Sequence, residues 1–122
     1  MSVRRLTKAD VLEGTLQRET LHVREYGGEV VIRPLSDGEL SRVFGTIGTI
    51  TVAEDGTPNV NSIDISKNLE ALRLATAIGL VEPALSLEEV SKMKFGAPEY
   101  IGMKVLELSG VSFNEEDLRK KD

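Results

Sequence analysis

The chain has 122 residues, 40% hydrophobic, 29% charged and only 4% aromatic, with a formal net charge of −5. That is the size and composition of one aliphatic-cored globular domain rather than of two domains or a disordered chain. Zero cysteines exclude disulfides, thiolate metal sites and a cysteine nucleophile, and the single histidine, His22, excludes a poly-histidine metal centre.

The acidic balance argues against nucleic acid as a specific partner, since duplex binding draws on clustered Lys and Arg. No apolar run reaches the ~18 residues of a membrane span. Met1-Ser2-Val3-Arg4-Arg5 is basic but leads into no apolar stretch, so no signal peptide and a cytoplasmic location are expected.

Residues 1–18 read as an arm or short helix. Leu6-Thr7-Lys8-Ala9-Asp10-Val11 carries a weak capping box, with Asp where Glu or Gln is preferred. A single domain is expected over 19–110. It opens with a two-stranded hairpin, 19–34, around Gly27-Gly28. A two-residue Gly-Gly link suits a type I′ turn with positive φ at both positions. Pairing across that turn sets Val23 opposite Ile32. Leu21, Val23, Val30 and Ile32 then share an apolar face, with His22, Arg24, Glu29 and Arg33 on the other.

Ser36-Asp37-Gly38-Glu39 and Ser86-Leu87-Glu88-Glu89 are full capping boxes with apolar staples, and they predict helix starts. The first helix is expected over about 36–48, with Leu40, Val43, Phe44 and Ile47 as its apolar stripe. A mobile loop is expected over about 49–63, where Asp55-Gly56 and Pro58 punctuate the chain. A central helix with a wide apolar arc follows over 64–80, ended by Val81-Glu82-Pro83. The capped helix over 86–93 is short. A last helix over 98–109 has Pro98 as its first residue and Gly110 as a left-handed stop. Residues 111–122 form a charged tail, with Asn114 a weak fourth cap. The fold class is α+β: a mainly helical domain with one N-terminal two-stranded β-hairpin packed on the helices.

No catalytic, cofactor-binding or metal-binding constellation emerges. His22 lies on a polar strand face with no nucleophile motif near it and reads as solvated or ion-paired. Asp55 and Asp64 are too sparse for a calcium loop. Gly45-Thr46-Ile47-Gly48-Thr49 lacks the Gly-Lys-Ser/Thr ending of a phosphate loop. Arg4, Arg5 and Lys8 are too few for a nucleic-acid footprint and read as solvated.

The succession Gly79-Leu80-Val81-Glu82-Pro83, the capped Ser86 helix, Gly96-Ala97-Pro98 and the closing Val105-Leu106-Glu107-Leu108-Ser109-Gly110 resembles the tail assembly chaperones of long-tailed phages and prophages, the XkdN-like family in particular. The strand–Gly-Gly–strand run ending Ile32-Arg33-Pro34-Leu35 belongs to the same resemblance, which spans about Glu19 to Gly110; Gly45 to Ser62 departs from it.

The resemblance implies a non-enzymatic protein of the host cytoplasm, absent from the mature virion, that binds the tape-measure protein and helps recruit tail-tube protein. A second copy of the chain is a further candidate partner. Two alternatives come from other classes: a structural head–tail or tail protein retained in the virion, and a small prophage regulatory protein using the basic N-terminus. On the last helix, Tyr100, Met103, Lys104 and Glu107 fall opposite the core side. Tyr100, Met103 and Glu107 are the candidate partner-binding residues, because a tyrosine ring and a thioether recur at interfaces. Tyr100 and Met103 could instead pack under the Ser86–Met93 helix.

Overall fold

The computed structural model describes residues 3–46 and 69–111. Within them the elements run α1 (Lys8–Leu12), β1 (Glu19–Val23), β2 (Gly28–Ile32), α2 (Asp37–Gly45), α3 (Leu69–Gly79), β3 (Leu80–Glu82), α4 (Leu87–Val90) and α5 (Ala97–Leu108), with 3-10 turns at Glu13–Leu16 and Arg24–Tyr26. The mixed α+β class is as expected, but the sheet is not a two-stranded hairpin. It has three antiparallel strands in the order β1-β2-β3.

Three predicted helix starts are present as complete capping boxes at Thr7, Ser36 and Ser86. The Thr7 box closes despite its shorter acid. The Asp10 carboxylate accepts from the Thr7 N–H at 2.8 Å, and the Asp10 N–H donates to Thr7 Oγ1 at 3.1 Å. That amide holds the Asp10 carboxyl below the ordinary carboxylate range, with Arg4 adding a bond at 3.0 Å. The Asn114 cap, the predicted loop over 49–63, the first residues of the predicted 64–80 helix and the charged tail after Val111 lie outside the described residues.

The hairpin register differs from the expected one. Glu19, not Val23, faces Ile32, Leu21 faces Val30, and Val23 faces Gly28. β1 stops at Val23, the chain winds through the Arg24–Tyr26 turn, and Gly27 alone takes positive φ, at 61°, so there is no type I′ link. The reason is tertiary. Tyr26 Oη accepts from the Lys94 N–H at 2.9 Å, and Lys94 Nζ lies 4.9 Å from the ring centroid. Tyr26 is thereby drawn onto the turn before α5 instead of extending the strand. The register moves by an even number of residues, so side-chain parity survives. Val23 and Ile32 are buried on the core side, and Leu21 and Val30 pack beside them.

The third strand comes from residues read as a helix stop. α3 ends at Gly79, and Leu80 and Glu82 pair with Ile32 and Val31 across an irregularity. The Arg33 N–H donates to the Gly79 carbonyl at 2.9 Å, which starts the alignment. The Glu82–Pro83 peptide is cis. α2 is shorter than expected, ending at Gly45 with Thr46 as its cap. α4 is a single turn, prolonged to Met93 by bonds from Lys92 and Met93 back to Glu89 and Val90. In α5, Ala97 takes the first helical position and Pro98 the second, after Gly96 at φ 89°; Gly110, at φ 98°, is the left-handed stop.

The core lies between α3 and α5, with the sheet on one side. Leu72, Ala75, Ile101, Val105 and Leu106 are buried there. Two glycines set the helix spacing. A Cβ on Gly102 would overlap the Leu72 carbonyl oxygen, and one on Gly79 would come within 2.5 Å of Val105 Cγ1. The buried Thr76 hydroxyl bridges the Leu72 carbonyl, at 3.0 Å, and the Pro98 carbonyl, so the helices also share a polar tie. Arg73 reaches Glu99 across the helix pair at 3.6 Å.

Candidate partner-binding surface

α5 turns Ile101, Gly102, Val105 and Leu106 inward, so its opposite side carries Tyr100, Met103, Lys104 and Glu107. Of the three residues predicted to meet a partner, Tyr100 and Glu107 are exposed. Met103 is half-buried and packs against the core. Its thioether is therefore largely a packing group, which narrows the predicted trio. Lys104 links the other two: its Nζ lies 5.8 Å from the Tyr100 ring centroid and 3.5 Å from Glu107 Oε2. The stripe is thus a ladder of ring, ammonium and carboxylate along the helix.

At the C-terminal end of that ladder the surface opens into a cleft of about 600 Å³. Leu108 and Ser109 form one wall, Leu35 and the start of α2 the floor, and Val11 and Leu12 of the arm the other wall. Leu108 sits at the margin of the core and is partly buried. Ser109 Oγ accepts from the Leu35 N–H at 2.8 Å and donates to the Val105 carbonyl at 2.7 Å, which braces the floor against α5. Arg33 grips Glu39 with two bonds, 2.9 and 2.8 Å, while Glu39 also accepts from the Ser36 N–H at 2.9 Å. The guanidinium, more than any other partner, holds the Glu39 carboxyl down at about 2. The start of α2 is therefore a rigid edge of the cleft.

The arm was legible for its Thr7 cap and its charges, not for its apolar side chains. α1 and the turn after it bury no residue, yet Leu6, Val11, Leu12 and Leu16 are each more than 60% exposed. In the free chain these four apolar side chains stand largely in water. The available signal was the recurrence of leucine and valine through residues 6–16, which a reading centred on Arg4, Arg5 and Lys8 passes over.

His22 is exposed on the outer sheet face, opposite Glu29 in the ladder. Among the described residues, no three His, Asp or Glu side chains gather as metal ligands, and no helix is long and apolar enough to cross a membrane. No family model, curated protein or solved structure matches this chain.

Proposed function

We propose that this chain is a non-enzymatic phage or prophage tail assembly chaperone that shields an apolar helical face of a tape-measure protein during assembly. It acts in the host cytoplasm, helps bring tail-tube protein to the complex and leaves before the virion is complete. The observation that carries the reading is the exposed apolar arm facing the end of α5 across an open cleft, with Tyr100 and Glu107 continuing the surface along the helix. An amphipathic helix laid against such a surface buries its apolar stripe between two walls while its polar side meets Lys104 and Glu107. The sequence resemblance over Glu19 to Gly110 supplies the class of partner.

The test is co-expression with an amphipathic helical fragment of a phage tape-measure protein. The wild-type chain is expected to keep the fragment soluble and to co-purify with it. Leu12→Ser combined with Tyr100→Ala is expected to lose capture while shifting the melting temperature by less than ~3 °C, since both side chains face water in the free protein. Capture unchanged by that double variant, or a fragment that stays insoluble beside the wild type, refutes the reading.

A further inference from the structure

The arm and the body of the molecule face each other across the cleft without a polar tie. Among the described residues, every side-chain hydrogen bond and ion pair of residues 3–18 closes within that segment: Thr7 and Arg4 with Asp10, and Arg18 with the Thr15 and Gln17 carbonyls. The backbone bond from the Val11 N–H to the Thr7 carbonyl is internal as well. The far wall is held in the opposite manner. Ser109 fastens Leu35 to α5, and Arg33 fastens the strand exit to Glu39 in the first turn of α2. Only Gln17 and Arg18 lie between the 3-10 turn and β1, and Gln17 has extended backbone, φ −61° and ψ 141°. A self-contained unit therefore stands on a short connection beside a braced wall.

The cleft is apolar on both of its facing sides. Val11 and Leu12, 61% and 62% exposed, line it from the arm, and Pro34, Leu35 and Leu108 line it from the body. We propose that the arm is a hinged strap, which turns about Gln17 and Arg18 to lay Val11 and Leu12 on Pro34, Leu35 and Leu108 and so closes the cleft. Hinges of this kind are a few element-terminal residues that absorb the change in φ and ψ. The movement takes apolar surface out of water on both walls. It breaks no hydrogen bond between arm and body, because none joins them among the described residues. The arm travels as one piece, since its capping box and the Arg4–Asp10 pair lie wholly inside it. Closure needs only this chain and does not depend on the tape-measure reading. Its consequence for that reading is regulatory: a closed strap covers the surface that would receive the helix, so the open fraction sets how much of the protein can bind.

The chain has no cysteine, so spin labels attach only where cysteines are introduced. Lys8→Cys with Arg42→Cys puts one label on the arm and one on α2, at exposed positions that do not line the cleft. Pulsed dipolar spectroscopy of the full chain is expected to show two distance populations, one of them matching this structure. Val11→Ser with Leu12→Ser is expected to remove the other. The body pair Arg42→Cys with Lys92→Cys is expected to give one narrow distance throughout. A single arm–body distance, or two populations indifferent to the serine changes, overturns the proposal. In a second arm of the experiment, Leu12→Cys with Leu108→Cys is oxidised to pin the strap shut. Oxidation is expected to weaken capture of the tape-measure fragment at least ~10-fold, and reduction to restore it. A disulfide that does not form, or capture equal in the oxidised and reduced chains, also counts against the strap. Wild-type protein that captures no fragment refutes the chaperone reading instead, and the distance populations still decide whether the arm closes.

Discussion

Gly102→Ala adds a single methyl group at the closest approach of α3 and α5. The new carbon would overlap the Leu72 carbonyl oxygen and stand 2.9 Å from the Leu72 carbonyl carbon and 3.0 Å from Thr76 Oγ1. The obstacle is backbone, so no rotamer change relieves it. α5 must back away by about 1 Å to reach an ordinary carbon–oxygen contact of ~3.3 Å. A gap of that size forfeits a quarter to a half of each dispersion contact across the seam, and the residues lining it, Leu72, Ile101, Val105 and Leu106, are all fully buried. Overpacking against a rigid neighbour costs ~3 kcal/mol, the upper part of the usual range. Alanine returns ~1 kcal/mol of helix propensity, leaving a net loss of ~2 kcal/mol, or about 6–10 °C in Tm for a chain of this length. Urea denaturation followed by circular dichroism at 222 nm measures it. Gly45→Ala is the control: it is also helical, nothing lies within 4 Å of its added carbon, and it is expected to be neutral or to gain ~0.5 kcal/mol. A Gly102→Ala chain as stable as the wild type refutes the close helix crossing.

The other expectations concern different links in the structure. Gly79→Ala clashes chiefly with the Val105 methyls, so it should destabilise by ~1–3 kcal/mol alone, and adding Val105→Ala should cost less than the sum of the two single changes, seen as a non-additive double-mutant cycle. Glu39, held at about 2 in the folded protein against 4.5 unfolded, contributes stability that is fully present above pH ~4.5 and is lost as pH falls toward 2. Glu39→Gln should therefore lower stability at pH 7 by on the order of 2 kcal/mol, allowing for solvent screening of a partly exposed pair, and flatten acid unfolding in that window; an unchanged acid limb counts against the Arg33 grip. Ser109→Ala leaves the buried-side Leu35 N–H without its acceptor and should cost ~1–3 kcal/mol by chemical denaturation.

The local features of this chain were legible because each depends on a few neighbouring residues. A capping box is closed by side chains three positions apart, so Thr7, Ser36 and Ser86 announce their helices whatever surrounds them. Gly110 ends α5 because a left-handed residue is needed there. The parity of the hairpin was equally readable, since alternation assigns Leu21, Val23, Val30 and Ile32 to one face in either register. Glu39 was recognised as a cap, but not as the partner of Arg33, because that bond depends on how the strand exit meets α2.

What lay beyond the sequence depends on contacts between distant segments. The hairpin connection was decided by Lys94 drawing Tyr26 away from the strand. The third strand was decided by β2 offering its free edge to Leu80–Glu82, a run too short to show its own alternation. Helical periodicity placed Tyr100, Met103 and Glu107 on one outer stripe of α5, and only the packing around that helix separated half-buried Met103 from the other two. The cleft beside the arm belongs to the same class, because its walls come from both ends of the described chain. Hydrogen bonds within one turn are specified by neighbouring residues in almost any context, whereas strand edges, helix seams and clefts exist only once the whole chain has chosen which surfaces to bury.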